Sequence, residues 1–267
     1  MSTTITPAAS ASEVVRLERH DNHVALVTLN RPAAHNAINA MVAQALDSIV
    51  AAIESDPDIW VVVLAGAGQE TFCAGADLKE VAAGRGAGLF TANGFAGFVD
   101  ANRRKPWIAA VNGRALAGGC EIALACDMVV ASPHASFGLP EVSRGLIAAA
   151  GGLYRLARQM PRNLAIELAL TGKQMSANRA AALGLVNQLA PPGSLLDSAF
   201  SLASEITRNA PVAVCESLQV MRRAHDLDES ALRELTQACR NRVAATDDYR
   251  EGPRAFVEKR LPRWTGR

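Results

Sequence analysis

The chain has 267 residues, 49% of them hydrophobic and 20% charged, with a formal net charge of +1. That is enough chain to bury a large core, as one domain or one domain with an appendage. The balance excludes the single-sign field that would draw nucleic acid or an anionic membrane.

The opening residues carry no charge before Glu13 and no apolar run, so residues 1–12 are expected to form a disordered leader. VALVTL at 24–29 reads as a strand, ended by Asn30-Arg-Pro. From Ile38 the apolar positions Met41, Val42, Ala45, Leu46, Ile49, Val50 and Ile53 repeat at helical spacing until Asp56-Pro57. WVVVL at 60–64 is a wholly apolar strand stopped by Gly66. Strand, amphipathic helix and buried strand in succession predict an α/β arrangement. The order recurs: WIAAV at 107–111 as strand, 119–126 as short helix, MVVA at 128–131 as strand, and an extended piece at Ser136-Phe137. Helices follow Gly151 and Pro161, Ser176 caps a helix running to Leu183 with Gly184 behind it, and 185–189 is the last strand. After Pro191-Pro-Gly193 the periodicity is helical throughout, interrupted near Pro211, Asp226 and Thr246. The expected division is therefore 1–12, an α/β core at 13–190, and a helical part at 191–267. Arg260, Arg263 and Arg267 are expected to solvate a surface tail.

The five cysteines are odd in number and lack any CxxC spacing, which suits reduced thiols in a cytoplasmic protein better than disulfides or zinc. No stretch is apolar for long enough to span a bilayer. The glycines at 66–75 and 84–88 form neither a P-loop nor GxGxxG after a strand, and there is no GxSxG elbow. The histidines are scattered, so carboxylates are the better acid–base candidates. Glu121 lies in ALAGGCEIALACD, residues 115–127, where small residues allow close backbone approach at a helix start. Taken alone, Glu121 reads as a first-turn acid complementing the helix dipole, and Glu141 as a solvated acid in a turn. Spacing does not bring them together.

Several segments in order nevertheless resemble one family. NRPAAHNA (30–37), FCAGADLK (72–79), AVNGRALAGGCE (110–121) and FGLPE (137–141) are similar to signature segments of the crotonase superfamily, closest to the enoyl-CoA hydratases. Gly151-Gly152 with Arg155-Leu156, LTG (170–172), AALGLV (181–186) and EGPRAFVEKR (251–260) extend the match over nearly all of residues 24–260. The resemblance implies a spiral of repeated ββα units with a helical C-terminal trimerisation region, giving trimers or dimers of trimers. It implies reversible addition of water to the 2,3 double bond of a trans-2-enoyl-CoA. In that scheme Glu121 and Glu141 are the catalytic pair, and the amides of Ala76 and Gly118 form an oxyanion hole. Ala34, Ala76, Asp77, Leu78, Lys79 and Gly118 would contact the acyl-CoA. His35 stands at a variable position, where a phosphate contact and an exposed loop histidine are both open. Phe256 and Lys259 would reach a neighbouring subunit's nucleotide. No metal or redox cofactor is implied, coenzyme A being part of the substrate, and no nucleic acid or membrane partner. A specialised dehydratase, such as one acting on a carnitinyl thioester, an enoyl-CoA isomerase, and an RNA-binding homologue are the alternatives.

Three positions depart from the pattern. Ala117 replaces a glycine, a change expected to be mild. Leu139 stands where many hydratases have Gln, and Ala148-Ala-Ala150 replaces a Pro-Gly-Ala-type stretch. The last two are expected near the acyl chain and the second glutamate.

Overall fold

The computed structural model describes residues 11–267. The expected leader lies outside the described residues except for Ala11 and Ser12, which open a short helix, Ala11–Val14. Six strands form the main sheet in the order Val15–His20, Val24–Leu29, Val61–Gly66, Trp107–Val111, Met128–Ala131 and Gln188–Leu189. All run parallel except the first, which is the antiparallel arm of a hairpin. Strands buried on both faces are read from apolar runs without alternation, and every residue of Trp107–Val111 is buried.

A second, smaller sheet explains the repeat. Three of the central strands lead within a few residues to three-residue strands: Thr71–Cys73, Arg114–Leu116 and Ser136–Gly138. These pair in parallel with one another, and Gln174–Ser176 adds an antiparallel edge. A helix or helical turn then follows each: Leu78–Ala82, Gly118–Ala125 and Pro140–Arg144. The result is the expected spiral of ββα units, and the second sheet sets all three helix starts along one side. The crossing between sheets is tight: a Cβ on Gly113 would stand 2.2 Å from the Glu70 carbonyl oxygen.

Helix Ala40–Ser55 is held at its start by Asn39, whose side chain accepts from the Val42 amide at 3.0 Å. Its buried face, Val42, Leu46, Val50 and Ile53, covers one side of the sheet. Each such aliphatic side chain contributes about 1.5–3 kcal/mol on burial. The Ser176 side chain caps Ala177–Ala182 through the Arg179 amide, and Gly184 takes φ +84 just past the end.

The other sheet face is covered by Leu195–Thr207, whose Ala199 and Ala203 pack with Val63, Ile108 and Val130. Three further helices, Pro211–Arg223, Glu229–Ala244 and Asp248–Val257, follow. The first two are tied down by ion pairs. Arg222 donates from Nε and Nη2 to the two oxygens of Asp127, both at 2.7 Å, while Asp127 also accepts from the Trp107 amide. Buried Glu216 takes Arg104 at 2.6 Å and Arg242 at 2.6 Å.

The basic C-terminus does not form a loose solvated tail. Arg260 binds both oxygens of Glu251, and the Arg263 amide donates to the same carboxylate. Asp248, also buried, accepts from the amides of Thr265 and Gly266 at 2.8 and 2.9 Å. Two other expectations change. The charged edge strand Val15–His20 is additional, and the last strand shortens to Gln188–Leu189, with Leu185 and Val186 buried just before it. Among the described residues no helix is long and apolar enough to cross a membrane.

Candidate functional site

The site is assembled where two of the helix starts meet. After Thr71–Cys73 the chain turns at Gly75, φ +89, and Ala76 pairs with Ile38 as an isolated parallel bridge. That bridge uses the Gly75 carbonyl, which accepts from the Ile38 amide, and the Asp77 amide, which donates to the Ile38 carbonyl, both at 2.8 Å. Successive peptide groups alternate in extended chain, so the amide of Ala76 between them faces the other way. Asp77 then caps Leu78–Ala82 through the Lys79 amide and pairs with Arg31 at 3.2 Å.

The second start is Gly118–Ala125. Its first amide, Gly118, has no carbonyl within its own helix to accept it. Ala117 before it takes φ 51, ψ −129, the first central position of a type II′ turn, which glycine dominates. The replacement is therefore not mild: it places a Cβ in a strained conformation. Two glycines let the starts touch. A Cβ on Gly75 would sit 2.7 Å from the Gly118 nitrogen, and one on Gly118 would sit 2.4 Å from the Phe95 ring. Ala76 and Gly118 consequently line one cavity of about 790 Å³.

Glu121 stands in the first turn of that helix, 3% exposed and lining the same cavity. Its Oε1 accepts from the amides of Ala150 and Gly152, both at 2.8 Å. Burial pushes its pKa up from the ordinary carboxylate range, while those two amides and the Arg155 guanidinium pull against it. Glu141 reaches the cavity from the 3₁₀ turn Pro140–Arg144 and is 8% exposed. Its Oε2 is buried with no hydrogen-bond partner. Burial first, then the nearby Glu121 charge, push Glu141 up to about 7, against its own backbone amide and Arg144.

Two like residues thus occupy unlike surroundings. One has an oxygen fed by two amide donors and is suited to the carboxylate form; the other has a buried oxygen with no donor and is suited to holding a proton. With Ala76 and Gly118 lining the cavity that also holds both carboxyl groups, free amides there can stabilise an oxyanion while the carboxyls move protons. It does not suit thiol chemistry, because burial pushes Cys73 and Cys120 up to about 12.

Ala34, His35, Asp77, Leu78 and Lys79 all line the cavity, with Arg31 and Arg144 adding cations. Phe90, Phe95, Leu146 and Ile147 give it apolar wall. Phe256 and Lys259 are not brought to it: Phe256 is 84% exposed near the end of Asp248–Val257, and Lys259 lies just beyond. Leu139 refines an expectation. It is buried, absent from the cavity wall, and packed beside Gly152 and Glu121. It therefore packs on the first glutamate as well as preceding the second by two residues, and Ala149 and Ala150 do reach the cavity. The supporting turn, Ala150 to Gly152, and Gly75 carry no mark in the sequence that assigns them to the site. The double glycine ahead of a helix was the available signal, but it reads equally well as a simple helix start.

A family model described as enoyl-CoA hydratase/isomerase matches residues 19–267. The chain is 38% identical over 247 residues to a carnitinyl-CoA dehydratase of Proteus mirabilis, covering 90% of this chain and 94% of the relative. It is 38% identical over 250 residues to a short-chain-enoyl-CoA hydratase of Clostridium acetobutylicum, covering 90% and 93%. Among solved structures, an enoyl-CoA hydratase from Mycobacterium tuberculosis H37Rv superposes with a TM-score of 0.91 at 42% identity, covering 96% of this chain and all of that one.

Proposed function

The chain belongs to the enoyl-CoA hydratase/isomerase family, and from that premise we propose that it adds water reversibly across the 2,3 double bond of a trans-2-enoyl-CoA. It is a hydro-lyase of the enoyl-CoA hydratase type. The observation that carries the two-glutamate reading is the asymmetry of the pair. Glu121 Oε1 takes two amides, while Glu141 Oε2 takes none.

The thioester carbonyl lies against the amides of Ala76 and Gly118. A water sits between the carboxyl groups. Glu121, as carboxylate, takes a proton from the water as its oxygen bonds to C3, and the electron pair of the double bond moves toward the carbonyl. The resulting enolate oxygen is stabilised by the two amides, each such donor being worth roughly 3 kcal/mol. Glu141 delivers its proton to C2, giving the 3-hydroxyacyl-CoA. A proton then returns from Glu121 to Glu141 for the next cycle. Lys79, Asp77, Leu78 and Ala34 hold the coenzyme A portion, and Phe256 and Lys259 serve a neighbouring subunit in a homotrimer or a dimer of trimers. The protein works in the cytoplasm.

Dehydration of a carnitinyl thioester is the second reading, favoured by the relative of that name. The test is a panel of enoyl-CoAs of graded length and branching, with carnitinyl-CoA assayed for dehydration. Loss of the conjugated thioester absorbance and gain of the mass of water report hydration; unchanged product mass would mean isomerisation. Glu121→Gln and Glu141→Gln should each lower turnover by about 10²–10⁴. Near-normal rates in both would reject the assignment.

A further inference from the structure

We propose that Arg155 is a positioning residue for this hydration: its guanidinium clamps the turn whose amides feed Glu121. The inference rests on the two-glutamate reading and extends it one layer outward. Arg155 lies in the first turn of helix Gly152–Gln159, with its side chain 19% exposed. One terminal nitrogen donates to the Ala150 carbonyl at 2.8 Å and the other to the Val99 carbonyl at 2.6 Å. The same turn presents the Ala150 and Gly152 amides to Glu121 on its other side.

The guanidinium therefore ties the turn to the segment at 99–100, and its planar fork suits two carbonyls held at a fixed spacing. Gly151 makes room for it: a Cβ there would stand 2.2 Å from the Arg155 nitrogen. The next arginine on the helix serves as an internal comparison. Arg158 pairs with Asp226 at 2.9 Å and lies over the Tyr154 ring, with no bond to the turn.

The charged groups acting on Glu121 come from three elements. Arg155 favours its carboxylate, and Asp100 opposes it from the segment that Arg155 grips. Glu141 faces it from the 3₁₀ turn, with Arg144 beyond. Loosening the clamp removes a cation and misaims two donors, and both changes favour the protonated acid. Since Glu121 must be ionised to accept a proton, the acid limb of the pH profile moves to higher pH.

The test compares Arg155→Gln, Arg155→Lys and Arg158→Gln using a short enoyl-CoA across pH. Arg155→Gln should lower kcat by about 10–100-fold with KM within about threefold, and shift the acid limb up by about one pH unit. Arg155→Lys, whose ammonium reaches one carbonyl at a time, should fall between. Arg158→Gln should match the parent. Loss of stability alone leaves the limb in place, so a folded Arg155→Gln with an unmoved limb and kcat within threefold overturns the clamp. If Arg155→Gln does not fold, an unmoved limb in Arg155→Lys does the same. Hydration surviving in Glu121→Gln would overturn the catalytic reading and the clamp together. An inactive Glu121→Gln beside an unmoved Arg155 series removes the clamp alone.

Discussion

Gly152 lies directly against Glu121: a Cβ at position 152 would stand 2.8 Å from Glu121 Cγ and 3.1 Å from its Oε1. Leu139 closes the same space, 2.9 Å away. Gly152→Ala must therefore push the carboxylate off its two amides. The expected result is a kcat about 10²-fold lower, with a stability loss of about 1–3 kcal/mol from overpacking. Gly184→Ala is the control, since φ +84 strains it but nothing stands within 4 Å. It should lose about 1 kcal/mol and keep its turnover. Equal effects of the two on kcat would mean that 152 acts through the fold alone.

The pH profile follows from Glu141, pushed up to about 7. As proton donor to C2 it works only when protonated, so kcat/KM for hydration should fall about tenfold per unit above that pH. The residual activity of Glu141→Gln should lack this alkaline limb. A parent profile flat to about pH 9 would assign the proton to another group.

The elements of the fold were unequally legible in the sequence. Trp107–Val111 and Met128–Ala131 announce themselves because a strand buried on both faces is a continuous apolar run. Val15–His20 does not, because an edge strand rich in Arg, Glu and His has no such run. Apart from the extended piece at Ser136-Phe137, the second sheet escapes for a different reason. Three-residue strands such as Arg114–Leu116 are too short to show a period, yet they align the helix starts carrying Gly118 and Glu141. The family resemblance names Glu121 and Glu141 together; residue patterns alone leave each as an ordinary acid. Neither source shows that Glu121 is held by Ala150 and Gly152, about thirty residues on, since that bond exists only after the spiral closes.

Ala117 carries backbone strain that glycine would not. A non-glycine residue held in such a conformation costs about 1–3 kcal/mol, and glycine's extra freedom in the unfolded chain returns about 0.5–1 kcal/mol of that. Ala117→Gly should therefore stabilise by about 1 kcal/mol in chemical denaturation. A loss of stability would show that the Ala117 methyl makes packing contacts worth more than the strain.

Leu139→Gln should move the acid limb opposite to the arginine clamp variants. The side chain is buried beside Glu121 and Gly152, so an amide there adds a donor to a carboxylate that burial disfavours. Glu121 would ionise at lower pH, and the acid limb should shift down by about half a unit to one unit. An upward shift would place the new amide's oxygen, not its nitrogen, against the carboxylate.

Glu216 joins three pieces of chain: Arg104 ahead of the Trp107–Val111 strand, its own helix Pro211–Arg223, and Arg242 from Glu229–Ala244. Burial opposes its ionisation, but hydrogen bonds from Arg242 and the charges of both arginines prevail and hold its pKa below the ordinary 4.5. A carboxyl with a depressed pKa adds stability above its unfolded value and loses it as pH falls through the folded one. Glu216→Gln should thus be destabilised by about 1–3 kcal/mol at neutral pH. The guanidiniums, about half exposed, can return to water, which keeps the loss below that of a fully buried pair. The gap from the parent should close below about pH 4.5, while turnover stays unchanged because the joint lies outside the cavity. A gap independent of pH would mean that Glu216 acts by shape alone, without its charge.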